Sequence, residues 1–191
     1  EEPSEVKAKG MAKRMQDVIL DDPSGKIIGS FVFFWGQKQE RTPTWYGMFN
    51  ESGEQTARID ELTRIWTGQY PANRAPMSKS ISINNMQAVE NIYLKAGQPA
   101  TVKVNVTDPD GDVLSHEWVL MKEVETRSQG GHFEAKPAEL TLQIVKSDVQ
   151  ADYVEITFNA PEEAGEYRLF NYAHDRKNKV GNANIPFMVE N

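Results

Sequence analysis

The sequence predicts a mainly β fold: a two-sheet sandwich of immunoglobulin-like type over residues 76–191, preceded by an α/β segment of helix, strand and helix over residues 1–75. Three observations carry this. Thr101-Val102-Lys103-Val104-Asn105-Val106 and Tyr153-Val154-Glu155-Ile156-Thr157-Phe158 alternate apolar and polar residues, the period of a half-buried strand. Turn chemistry separates such runs: Ala96-Gly97-Gln98-Pro99, Asp108-Pro109-Asp110-Gly111-Asp112, Pro161-Glu162-Glu163-Ala164-Gly165 and Lys177-Asn178. Near Arg74-Ala75-Pro76 the chain changes from mixed helix-and-strand patterning to almost pure strand patterning.

In the first part, Val6, Met11, Met15, Val18 and Ile19 recur at helical spacing and predict an amphipathic helix over residues 5–20. Ser4 is its expected N-cap, and Asp21-Asp22-Pro23-Ser24-Gly25 ends it. Residues 26–35, Lys-Ile-Ile-Gly-Ser-Phe-Val-Phe-Phe-Trp, are apolar almost without interruption and predict a strand covered on both faces. A second helix is expected over residues 54–66, with Ile59, Leu62, Ile65 and Trp66 inward and Gly68 just past its end. In the second part, strands are expected over residues 80–83, 91–94, 100–107, 115–122, 139–145, 153–159, 166–174 and 181–189. Residues 128–131 read as a loop. Without cysteine, the sandwich core must rest on Trp118, Phe158, Tyr167 and the aliphatic residues.

Composition narrows the function classes. The net charge of −7 argues against nucleic acid as a partner, because that partner requires clustered cations to displace phosphate counterions. The short basic clusters at residues 7–14 and 176–179 read as solvated faces. No apolar run approaches the ~20 residues of a membrane span. Glu1 rather than Met opens the chain, so a processed or excised form is expected, and the lack of cysteine fits an oxidising, extracytoplasmic compartment.

Two stretches carry a resemblance. Residues 29–49 (Gly-Ser-Phe-Val-Phe-Phe-Trp-Gly-Gln-Lys-Gln-Glu-Arg-Thr-Pro-Thr-Trp-Tyr-Gly-Met-Phe), with Trp66-Thr67-Gly68 and Tyr70-Pro71-Ala72-Asn73-Arg74-Ala75-Pro76, resemble the end of a catalytic TIM barrel. The barrels are those of bacterial glycoside hydrolases related to the β-galactosidase and β-glucuronidase family. Residues 97–118 and 165–175 resemble Ig-like or PKD-like accessory modules of secreted polysaccharide-processing proteins. The resemblance implies that residues 26–35 are the eighth barrel strand. It further implies that the chain is the C-terminal part of an exported, periplasmic or secreted, hydrolase acting on β-linked glycans. The sandwich would then be a structural accessory domain. The family's two catalytic carboxylates would both precede Glu1, so no catalytic residue is assigned. An alternative is a carbohydrate-binding module, favoured if Tyr93, Tyr153 and Tyr172 form an exposed row.

The expected substrate contacts of the parent enzyme are Trp35, Gln37, Lys38, Glu40, Arg41 and Trp45, where an aromatic stacks on sugar and polar groups bind hydroxyls. The competing reading is a strand exit whose charges pair locally. Asp108, Asp110 and Asp112 have the alternate spacing of a small calcium loop, but the further ligands of an EF-hand loop are not in register; a tight turn is the favoured reading, and no metal or other cofactor is assigned. His116, His132 and His174 share no metal-ligand spacing and read as structural or exposed. Residues 26–35, once without flanking barrel strands, are expected to self-associate into a homodimer or to form an intrachain hairpin with residues 42–49.

Overall fold

In the computed structural model, which describes residues 1–128 and 131–191, two β-sheets pack face to face beneath an N-terminal layer of two helices and long loops. The strands are β1 (Met77–Ile83), β2 (Tyr93–Lys95), β3 (Pro99–Thr107), β4 (Ser115–Lys122), β5 (Glu139–Leu140), β6 (Ile144–Val149), β7 (Tyr153–Asn159), β8 (Gly165–His174) and β9 (Val180–Glu190). One sheet has the order β1-β3-β7-β6 and the other β2-β9-β8-β4-β5, with every pairing antiparallel except β2 with β9. The expected loop at residues 128–131 lies in part outside the described residues.

The alternating strands behave as their pattern dictates. Val102, Val104 and Val106 of β3 and Val154, Ile156 and Phe158 of β7 turn inward, and their polar alternates face outward. Across the sandwich they meet Leu120, Tyr167, Leu169, Ile185 and Phe187. Trp118 also faces this core but is only partly buried. The run expected as one strand over residues 139–145 divides. β5 pairs with β4 in one sheet, and β6 pairs with β7 in the other, so the chain crosses between sheets near residues 141–143.

β8 and β9 do not alternate: both of their faces are buried. Their outer face is covered by the N-terminal layer, whose backbone joins the sheet. Gln55 N–H donates to the Asn178 carbonyl and Val180 N–H to the Gln55 carbonyl, each at 3.0 Å. Chain also passes close over β9 at Gly181, where a Cβ would lie 2.4 Å from the Pro76 carbonyl oxygen.

That layer contains α1 (Ser4–Met15), which continues into a π-helical turn (Gln16–Leu20), and α2 (Ala57–Thr67), closed by Gly68 at φ +80°. Several expectations are corrected here. Ser4 is not the cap of α1. Pro3 holds that position, and the buried Ser4 hydroxyl oxygen accepts from Asn182 N–H at 2.9 Å. The face of α1 that docks on the protein is Ser4, Glu5, Lys7, Ala8 and Ala12, while Val6 and Val18 are exposed. Small Ala8 lets the helix approach closely, packing with Ala57 and Ala75, whereas a face of bulky aliphatics would hold it away. On α2, Leu62 is buried as expected but Trp66 is exposed.

The basic clusters are not purely solvated faces either. Lys7 is buried, donating to Glu1 Oε1 (2.5 Å) and to the Thr44 carbonyl (2.8 Å). Lys179 is buried against Asp60 of α2. Each lysine lies where the layer meets the sandwich, and a carboxylate partner offsets its desolvation.

The largest departure is at residues 26–35, which form no strand. An apolar run supplies side chains for burial but not the neighbouring backbone that a strand's N–H and C=O groups need. No strand is offered beside it, and the hairpin with residues 42–49 does not form. Phe33 instead rests on Tyr46 (ring centroids 5.0 Å apart) and Trp35 on the edge of Phe49 (5.6 Å). The barrel strand implied by the resemblance is therefore not present, and neither is a strand edge for dimer pairing.

Candidate functional site

The residues expected to contact substrate do not converge on a cavity. Gln37 Nε2 donates to the Pro43 carbonyl (3.1 Å), Lys38 Nζ pairs with Glu40 Oε2 (2.6 Å), and the Tyr46 hydroxyl donates to Glu40 Oε1 (2.9 Å). Hydrogen bonds from Lys38 and then Tyr46 hold the Glu40 carboxyl below the ordinary carboxylate range. Arg41 lies over the Trp45 ring at 5.6 Å, and its backbone N–H donates to Glu134 Oε1 (2.6 Å). Trp35 is half exposed against Phe49. Local pairing, not an open binding surface, is what this string builds.

The aromatic row required of a carbohydrate-binding sheet is not formed. Tyr93 is on β2, Tyr153 is on β7 of the other sheet beneath Lys103 (4.0 Å), and Tyr172 is buried on β8. Tyr153 is in the other sheet, and Tyr172, although in the same sheet as Tyr93, is on a face covered by the N-terminal layer.

Asp108, Asp110 and Asp112 do come together, each with a carboxylate oxygen within 4.8 Å of the others. Turn chemistry uses much of the set. Asp108 Oδ1 accepts from the N–H of Asp110 (2.9 Å) and Asp112 (3.0 Å), Asp110 Oδ2 from Arg74 N–H (2.6 Å), and Asp112 Oδ1 from Lys177 Nζ (2.6 Å). Asp108 Oδ2 and Asp112 Oδ2 are buried without a hydrogen-bond partner. Because Gly111 at φ +77° and the Asx bonds close the loop unaided, EDTA should leave the melting temperature unchanged in differential scanning calorimetry. A drop restored by Ca²⁺ would show that a cation holds it.

Two of the concave regions among the described residues bring together groups that residue spacing did not reveal. The larger is an apolar groove of about 440 Å³ between α1, residues 30–34 and α2. Met11, Met15, Phe31, Phe33, Leu62 and Trp66 line it, joined by the guanidinium groups of Arg14 and Arg58, with no carboxylate in its wall. Val18 and Phe34 also line it, and Leu20, Ile27 and Ile28 of the neighbouring sequence are exposed. Most of its apolar lining comes from the expected apolar face of residues 5–20 and from the run 26–35, because periodicity marks a face for burial without specifying what covers it.

The smaller cavity, about 280 Å³, lies between the outer face of β4 and β8 and the loop over residues 43–54. His174 Nδ1 is 2.9 Å from Glu54 Oε1, and its Nε2 is 3.4 Å from Glu117 Oε2. Burial raises the Glu54 carboxyl, but hydrogen bonds from Ser52, His174 and Asn50 outweigh it and leave the group below its ordinary value. These partners are up to 120 residues apart in the chain, so no local motif could have announced them.

No helix is long and apolar enough to cross a membrane among the described residues. No protein-family model matches the chain, and no curated protein matches it. Among solved structures, one that matches is PcoC, a methionine-rich copper resistance protein from Escherichia coli. It has 16% identity and a TM-score of 0.35, over 61% of this chain and 99% of that one. The expectation of an exported glycoside hydrolase's C-terminal part, with its carbohydrate-binding alternative, is overturned. The barrel strand is not formed, the exposed aromatic row is absent among the described residues, and Lys38 is paired with Glu40.

Proposed function

We propose that this chain is a docking module in which the sandwich is the scaffold and the apolar groove takes an apolar protein segment with acidic flanks. The observation that carries this is the groove itself. Large apolar side chains that could be worth roughly 1.5–3 kcal/mol each on burial remain in water, clustered on one layer rather than scattered. Methionines at its wall give adaptable contacts, and Arg14, in a groove wall that contains no carboxylate, favours negative charge at the segment's ends. The setting we infer is extracytoplasmic, supported by a composition without cysteine.

Fluorescence anisotropy with a labelled Leu/Phe-rich peptide tests the reading. A version flanked by Glu should bind roughly tenfold more tightly than its Lys-flanked twin, and Phe31→Ser with Trp66→Ala should abolish the difference. Equal binding of the twins, or none, would count against it. Light scattering supplies the rival outcome: a dimer at micromolar concentration that Phe33→Lys dissolves would assign the face to a second copy of this chain.

A further inference from the structure

We propose that the cavity between β4, β8 and residues 43–54 binds a small primary alkylammonium ion, its ammonium held by Glu117 and the Tyr172 hydroxyl and its alkyl chain lying on Val119 and Met121. Four carboxylates line this cavity, those of Glu51, Glu54, Glu117 and Glu139, against one lysine and one histidine. Lys136 is committed to two of them, Glu51 at 2.6 Å and Glu139 at 2.9 Å. Glu54 is filled by Asn50, Ser52 and His174. Glu117 is left with only the long contact to His174, and most of its side chain is exposed.

A second observation is independent of the acidic groups. Tyr172 is 9% exposed, stacked on Phe170 with ring planes 7° apart, and lines this cavity. Its hydroxyl makes no hydrogen bond among the described residues and is not fully enclosed, so it opens into the cavity and is accessible to a ligand there. Burial, then the surrounding carboxylates led by Glu51, push that hydroxyl well above the usual tyrosine range, so it stays neutral and can accept an N–H.

The chemistry of the walls selects the class of cation. The surplus negative charge excludes anions. Among the described residues, no three carboxylate or imidazole ligand atoms of this cavity gather within 4.8 Å of one another, so the site is not a metal cage. An ammonium has three donors to share between Glu117 and Tyr172, and the Val119 and Met121 floor suits methylene groups that a hydrated ion would not use.

The experiment is isothermal titration with n-butylammonium and 1,5-diaminopentane, using 1,5-pentanediol as the uncharged analogue and CaCl₂ at matched ionic strength. The amines should bind and the diol should not. Tyr172→Phe, which keeps the ring stack, and Glu117→Gln, on an exposed side chain, should each weaken the amine about tenfold. Near-ultraviolet circular dichroism checks that both variants keep the native packing, and Glu117→Gln alone suffices if Tyr172→Phe loses it. Equal affinity for the diol, unchanged affinity in Glu117→Gln, or displacement of the amine by Ca²⁺ would overturn the proposal.

Discussion

Replacing Lys179 with Met should destabilise the protein by about 3–5 kcal/mol, the cost of leaving a buried carboxylate without its counter-charge. Lys179 is 6% exposed, and its Nζ donates to Asp60 Oδ1 on α2, itself 3% exposed. The other Asp60 oxygen accepts from Ala75 N–H at 2.6 Å, which cannot replace a full charge. The pair joins the N-terminal layer to the start of β9, so its loss should loosen that layer first. Chemical denaturation followed by tryptophan fluorescence measures the loss, and for a chain of this length the melting temperature should fall by roughly 10 °C. The double variant Asp60→Leu with Lys179→Met removes both charges and should regain most of the stability. A single-variant loss below about 1 kcal/mol would mean that water reaches the pair.

Phe158→Ala should cost a similar ~3–5 kcal/mol for a different reason, a cavity at the centre of the sandwich. Phe158 is fully buried on β7, and its ring meets Phe187 edge-on at 5.9 Å; Phe187 in turn stacks on Tyr167 at 5.7 Å. The three rings come from β7, β9 and β8, so truncation removes contact between the two sheets. Phe158→Leu keeps most of the volume and should cost less than ~1.5 kcal/mol. Trp118, though on the same core, is only partly buried, and its truncation should cost less than that of Phe158. Urea unfolding of these variants orders the effects. If Phe158→Ala proved milder than Trp118→Ala, the core would be centred elsewhere.

The sequence by itself determined the sandwich. Alternation along residues 100–107 and 153–159, set off by Gly, Pro and Asp turns, dictated β3 and β7 and the face each turns inward. A period of two has a single geometric solution once one face must be dry. Gly68 likewise marked the end of α2, because a left-handed residue closes a helix most readily when it has no Cβ.

Only the tertiary structure decided what the apolar run 26–35 does. Burial of such a run requires a partner backbone as well as a dry environment, and local sequence reports neither. The inward face of α1 was decided by the surface it met: close approach favoured alanines and paired charges over the aliphatic stripe. The candidate sites were settled at the same level. Tyr172, Glu117 and His174 could be placed on β4 and β8 from sequence, but Glu51 and Glu54 reach them only through the loop over residues 43–54. That loop sits on β8 and β9 because Gln55, Asn178 and Val180 exchange backbone hydrogen bonds across more than 120 residues of chain. Such long-range pairing depends on which surfaces remain unsatisfied after the sandwich has formed, and periodicity carries no record of them.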